Sequence, residues 1–430
     1  MTLTFGNRTT ITQGISFFKG HNTEISDDGK TIIVSGQSNI HIYTYNQSTN
    51  VWVHDINGSN TINSAIISHI GNNNATTATI AISGDGNTVA IGFGTIDKVW
   101  LYRRYSSGWQ LLNTIINEFG TSLSLSYDGN RVAIGDYDVT QKIGAVAVYN
   151  YNLTSWNLVN QKLSGVNLNS RYGHSISLSS NGKRLAVSAI AEDNNRGTIT
   201  VFEDNNTTWS VLQAAIKGEL IPGQPIHLGY IVKLNGLGTK VFGSMNYGSS
   251  NPQPGTYEMV HEYDVSTGDK IVIGHKEKYG WNFDINLDGT ILVASDYDKG
   301  KIFLYVRGAN GWVLNDTDTI ITSNNNIPGW SVSFSGNGKT VAIGDPEHVS
   351  SFLDLALPLP ARREGITYVY NISSLALAVA DVKEINLCYK KLCGVNQKEA
   401  PGLARTLNMN VNKYNGSYNR ANNTLMMKFN

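Results

Sequence analysis

The stretch Phe119–Asp136, FGTSLSLSYDGNRVAIGD, decides the fold. Leu123 and Leu125 alternate with Ser122, Ser124 and Ser126, the period-2 pattern of a β-strand. Asp128-Gly129 follows, a dipeptide that readily supplies the positive φ a hairpin turn needs. Val132-Ala133-Ile134-Gly135 then returns as a short apolar strand. One such hairpin says little, but this one recurs.

Aligned on the turn glycine, seven units appear, at Gly29, Gly86, Gly129, Gly182, Gly238, Gly289 and Gly338. Their mean spacing is about 51 residues, a propeller or solenoid period. Three residues before the glycine stands Ser26, Ser83, Ser126, Ser179, Asn235, Asn286 or Ser335, side chains able to hydrogen-bond a turn backbone. Nine before it is a second glycine in every unit but the second, which has Thr77. The second strand reads IIVS, VAIG, VAIG, LAVS, VFGS, LVAS and VAIG, runs apolar enough to be buried on both faces. A third strand follows a variable loop, and a fourth often opens with tryptophan: Trp52, Trp109, Trp156, Trp209 and Trp312. Each unit is thus a four-stranded antiparallel meander of blade size. The seventh runs out after its third strand, so Asn7–Gln13 at the N-terminus is expected to supply the missing outer strand and close the ring.

Composition agrees with a turn-rich β protein. Charged residues make up 15% of 430, against roughly 25% in an average domain. The formal net charge is zero, which gives no electrostatic case for nucleic-acid binding. No run of about 18 apolar residues offers a membrane span, and the opening MTLTFGNRTTITQG lacks the features of a signal peptide. Cys388 and Cys393 match no zinc spacing and are expected to be free thiols.

The pattern G-x-S-V-S-L-S-x-D-G-x-x-V-A-I-G…G-x-V-x-V-Y…W, over roughly Asn7–Ile372, resembles repeats in proteins of giant DNA viruses and aquatic microbes. It is also similar to the core of TolB-like repeats and to the FG-GAP repeats of integrin α subunits. The resemblance implies a propeller, and a large DNA virus as the setting. The short turn, with one Asp, does not match an FG-GAP calcium loop. Nor does Ser83-Gly84-Asp85-Gly86 fit a sialidase Asp-box.

Functional information should lie where the copies differ. The position after the blade glycine carries His21, His174, Tyr230, Trp281 and Trp330, either an aromatic rim for a sugar or peptide or packing between blades. Asp136, Asp138, Glu192, Asp193, Asp296, Asp298, Asp345, Glu347 and His348 occupy the loops after the second strands, as an acidic mouth or as solvated polar loops. Glu24, Lys233 and Asp284 replace the usual Ala or Ser of the first strand, and Lys233 and Asp284, at equal depth in adjacent blades, are expected to pair within roughly 6 Å. The seventh unit inserts Asp345–Gly365, whose Phe352, Leu353, Leu355, Leu357 and Leu359 either fold back onto the propeller or form a protein-binding finger. From residue 373 on, eight Lys or Arg stand against three Asp or Glu, a basic arm that starts with an amphipathic pattern over about 375–392.

The sequence therefore predicts an all-β chain: a seven-bladed β-propeller of four-stranded blades over 1–372, and a C-terminal extension with one amphipathic helix over 373–430. Its expected role is a non-enzymatic interaction or structural scaffold of a virion. Its partners would be other proteins, capsid or virion components, met through the 345–365 insertion and the tail. No catalytic residue, metal or cofactor is expected. A carbohydrate-binding adhesin or lectin is the alternative, and a propeller hydrolase a third reading.

Overall fold

The structure is a computed structural model. It describes residues 2–11, 22–36, 39–70, 78–94, 96–116, 118, 120–137, 143–219, 225–246, 260–274, 282–296, 300–319, 329–345, 365–375, 385–388, 414–419 and 424–429. The chain divides into two units, Leu3–Ile372 and Ser373–Asn430, the latter with Met1–Thr2.

The first unit is a ring of seven four-stranded antiparallel blades. Blade one comprises Asn22–Ile25, Thr31–Ser35, Ile40–Asn46 and Val51–His54. Blade two comprises Thr79–Ile82, Thr88–Gly92, Lys98–Tyr105 and Gly108–Ile116. Blade three opens with Ser122–Leu125, Arg131–Asp136 and Ala145–Tyr151, and its outer strand is split into Trp156–Leu158 and Leu163–Ser164. Blade four runs from Tyr172–Leu178 to Trp209–Lys217, blade five from Val232–Leu234 to Lys270–Ile273, and blade six from Asn282–Ile285 to Gly311–Thr319. Blade seven contains Ser331–Phe334, Thr340–Asp345 and Ile366–Leu375, with Thr2–Ile11 as its outer strand.

The turn between the first two strands is built the same way seven times. The Ser or Asn at position −3, counted from the glycine, donates its backbone N–H to the carbonyl of the residue at +2, as Ser126 does to Arg131 at 2.9 Å. Its side chain accepts the +2 N–H in every blade, as Ser126 Oγ does from Arg131 at 3.0 Å. In blades one to three the −1 Asp accepts the serine hydroxyl in turn, at 2.6 Å from Ser126 to Asp128, and in blades four and seven an Asn oxygen does so at 2.8 Å. Gly129 closes the turn at φ 63°, and a Cβ there would sit 2.2 Å from Thr88 Oγ1 of the preceding blade. Glycine is thus required by conformation and by space together.

Those turns are tied to one another. Asp28 N–H donates to the Gly84 carbonyl, Asp85 to Tyr127, Tyr127 to Ser180, Ser180 to Gly236, Gly236 to Leu287, Leu287 to Gly336, and Asn337 back to Asp27, over 2.6 to 3.3 Å. This is a closed circle of backbone bonds, one per blade boundary. Between the blades the second strands are buried throughout, as in Thr31–Ser35 and Arg131–Asp136, and their apolar residues fill a chain of clusters around the ring.

Two features differ from the sequence reading. The closing strand starts at Thr2 and ends at Ile11, not Asn7–Gln13. Leu3 and Phe5 draw it into blade seven, with the Phe5 ring edge-on to Tyr370 at 5.4 Å, and Phe5 N–H reaches Asp316 of blade six at 2.8 Å. A helix, α1 (Ile56–Ile70), also joins blades one and two where the repeat gave no sign of one. The outer strand of blade one is short and pairs only from Tyr43↔His54 to Asn46↔Val51, leaving the edge at Ile40–Ile42 open. α1 completes it: Asn63 bonds both the N–H and the C=O of Ile40, at 2.7 and 2.9 Å, and Ser59 Oγ accepts the Ile42 N–H at 3.0 Å. Ile62 and Ile66, one turn apart, seal the contact in the core.

The second unit holds a three-stranded antiparallel sheet, ordered Ile385–Cys388, Thr424–Phe429, Tyr414–Asn419. Of the helix expected over about 375–392, the described residues 385–388 are extended. The alternation of Ile385 and Leu387 with Asn386 and Cys388 satisfies a two-residue period as well as the helical one.

Asn63→Ala removes both partners of a fully buried backbone unit. It is expected to lower stability by about 2 kcal/mol or more in denaturant unfolding. Asn57→Ala, at the helix start, should cost well under half of that.

Candidate functional site in the central channel

The first strand of each blade lines the channel with an edge that has no ladder partner, and position −5 deals with that edge. Ser124 Oγ accepts the Leu178 N–H of the next blade at 2.9 Å, Ser177 Oγ that of Leu234 at 2.9 Å, and Ser333 Oγ that of Ile25 at 3.0 Å. Asp284 does the same for Phe334, through Oδ2 at 2.8 Å. The small polar residue of the repeat is therefore a link from blade to blade.

The departures from it meet. Lys233 Nζ lies 3.2 Å from Asp284 Oδ1, the pair expected from the register. The Ser333 hydroxyl stands 3.2 Å from Glu24 Oε2 and 3.4 Å from Asp284 Oδ2, so blades one, five, six and seven share one polar knot. It borders a cavity of about 140 Å³ whose walls also include Asp27, Ser124 and Ser177. Burial pushes the Glu24 carboxyl up, opposed by Lys233 and reinforced by Asp284. Burial and then Asp284 push Asp27 up to about 6. Burial would pull the Lys233 ammonium down, but Asp284 and Glu24 outweigh it and hold it above its ordinary value. Asp284 spends both oxygens on fixed partners, with the Ile285 N–H at 2.9 Å on Oδ1. The knot is a cross-brace by its bonding.

At the turn end, position −2 reads Asp27, Gly84, Tyr127, Ser180, Gly236, Leu287 and Gly336 around the ring. A Cβ on Gly84 would lie 2.3 Å from both Asp27 Oδ2 and Tyr127 Cδ2, one on Gly236 2.7 Å from Leu287 Cγ, and one on Gly336 2.5 Å from Asp27 Oδ1. The large side chains lie over the glycines beside them and cover the circle of backbone bonds.

The other end of the first strands carries the aromatic positions. His174 and Tyr230 are brought together, ring centres 5.1 Å apart, which agrees with packing from blade to blade. Trp330 is 43% exposed. His21, Trp281 and the insertion residues Phe352, Leu353, Leu355, Leu357 and Leu359 lie outside the described residues. The structure adds Tyr137, 5.0 Å from His174 on the opposite side. Sequence reasoning passed over it because it falls in a loop beyond the repeat register, although it directly follows the flagged Asp136. Burial and the nearby Arg171 charge push His174 down to about 4.

The acids of the second-to-third loops are not a solvated set. Asp136, Asp296 and Asp345 are buried at the ends of their strands. Asp193 pairs with Arg196 at 3.0 Å and Lys217 at 3.2 Å, and Glu192 bonds Asn167. Asp138, Asp298, Glu347 and His348 lie outside the described residues. No protein-family model matches the chain, and no curated protein matches it.

An acid whose folded pKa lies above its unfolded value costs stability as pH rises between the two, for Asp27 from 3.8 to about 6. Asp27→Asn should therefore raise the melting temperature at pH 8 and leave it nearly unchanged at pH 3.5. Lys233→Met leaves Glu24 and Asp284 facing each other without a cation, and should destabilise by about 2–4 kcal/mol at pH 8. The loss should shrink toward pH 4, as a thermal-melt series across pH would record.

Proposed function

We propose that the chain is a non-enzymatic interaction scaffold, a stiff disc that presents loops to protein partners, set in the particle of a large DNA virus. The observation that carries this reading is the use of chemistry-bearing side chains as bracing. The channel knot ties four blades, and the serines and acids of the turns are consumed by the turns. The setting rests on the repeat's resemblance to those of giant DNA viruses. The attachment points are the 345–365 insertion, with its five large apolar residues, and the basic tail. A rigid frame supports such a role because loops held on it lose little further entropy when a partner binds.

A second reading, a lectin-like module, is favoured by the exposure of Trp330 at the channel end opposite the turns. Capture from purified particles by the full chain, followed by cross-linking, separates the two. Replacing residues 346–364 with a short Gly-Ser loop should abolish capture and leave the melting temperature within about 2 °C. Capture that survives the replacement, together with glycan-array binding lost on Trp330→Ala, would instead establish the lectin.

A further inference from the structure

Five residues after the turn glycine, the second strand pairs with a third-strand residue that fills the space toward the preceding blade. Blades two, six and seven place a ring there: Trp100 opposite Ile91, Phe303 opposite Ala294 and Tyr368 opposite Ile343, all buried. Blade three has Ala147, also buried, and blade four has Thr200, opposite Val187 and only half-buried. On the same strand Ile199 and Val201 pack with Ile226, Leu228 and Val232 on the blade-five side, so Thr198 and Thr200 face blade three. Blade three offers little to cover them. The second piece of its outer strand pairs only as Ala145↔Ser164 and Val146↔Leu163, whereas the outer strand of blade four runs on to Thr198↔Lys217.

The missing ring leaves a cavity of about 780 Å³, bordered by blade four and the connection 164–170 at the end opposite the hairpin turns. That is the size of a small-molecule site. Its polar groups are unspent. The Tyr172, Thr198 and Thr200 hydroxyls line it and make no hydrogen bond among the described residues, although Thr198 is only 6% exposed. A buried hydroxyl without a partner has lost its hydration and gained nothing in return, which favours a hydrogen-bonding ligand. The Asn169 and Asn194 side chains line the cavity too and are equally unpartnered. The charged groups are already engaged, Asp193 with Arg196 and Lys217, and Glu192 with Asn167. Ala189, Ala191 and Ala215 supply small apolar surface. Asn169, Asp193, Asn194 and Asn195 stand at φ between 54° and 66°, a conformation rare outside glycine. The Asn195 carbonyl fixes that wall by accepting the Ile226 and His227 N–H groups at 2.9 and 3.0 Å.

We propose that this cavity between blades three and four is a binding site for a neutral saccharide. Its free hydroxyls and amides both donate and accept, as the hydroxyl groups of a sugar do, and among the described residues no unpaired charge lines it to select an ion. The alanines leave room for the C–H face of a pyranose ring. The ligand is a free sugar or one unit of a glycan chain, and the same groups recognise either. The site uses neither Trp330 nor the insertion, so its failure leaves both readings above untouched.

The test follows the full chain by ligand-observed NMR with glucose, galactose, mannose, N-acetylglucosamine and disaccharides of each, and with acetate as the charged control. At least one sugar should bind and acetate should not. Thr200→Phe supplies the ring that other blades carry, and should abolish binding with the melting temperature unchanged or raised. Tyr172→Phe removes one hydroxyl and no packing, and should weaken binding about threefold to tenfold. Trp330→Ala should leave it unchanged. A disaccharide held more tightly than its monosaccharide points to a glycan chain, and equal affinities point to a free sugar; either supports the site. The site is overturned if no sugar binds, if acetate binds equally well, if Trp330→Ala alone abolishes binding, or if affinity is unchanged in Thr200→Phe. Should that variant not fold, unchanged affinity in Tyr172→Phe overturns it in the same way.

Discussion

Seven backbone hydrogen bonds, each running from one hairpin turn to the next, hold the centre of this propeller together. A strand at a channel wall has an open edge, and a ring of such edges has no ladder to stabilise it. The turn circle and the −5 side chains replace the missing ladder with links perpendicular to it, from blade to blade. The circle forms only if every turn has the same shape, since each donor must find a carbonyl at a fixed height. That requirement explains why a Ser or Asn three residues before a glycine recurs in every turn.

The same bracing recruits the charged side chains of the channel. Blade five carries lysine where its neighbours carry a hydrogen-bond acceptor, and lysine cannot accept the Ile285 N–H. Asp284 takes that N–H itself while also binding Lys233 and serving Phe334. One carboxylate thus repairs the lapse that the lysine creates. The carboxyls of Glu24 and Asp27 are raised first by burial and then by the neighbouring Asp284 charge, which the one ammonium offsets only in part.

The repeat made the ring legible from sequence. Turn glycines, capping serines, doubly buried second strands and the Lys233–Asp284 pair all follow from alignment, because residues at equal offsets in adjacent blades are neighbours in space. What was not legible lies off that register. α1 is built from Asn, Ser and Thr, weak helix formers, and exists because the short outer strand of blade one leaves Ile40 without partners. Tyr137 and Arg171 sit in connections of variable length, where an offset no longer fixes a position. The outer strand's start at Thr2 depended on Leu3 and Phe5 finding blade seven, a contact between the two ends of the ring.

The covering of the turn circle has a numerical consequence. Large residues and glycines can alternate strictly around a ring only when the number of places is even, and this ring has seven. Ser180, small and polar between Tyr127 and Gly236, is where the alternation slips. The blades are therefore similar in fold but not exchangeable in place. Removing the Ser180 blade would leave large residues and glycines in strict alternation over six places, whereas duplicating a blade with a large residue or a glycine would set two bulky side chains, or two bare glycines, side by side at the rim. An odd number of blades therefore needs one place that is neither bulky nor bare, and Ser180 supplies it.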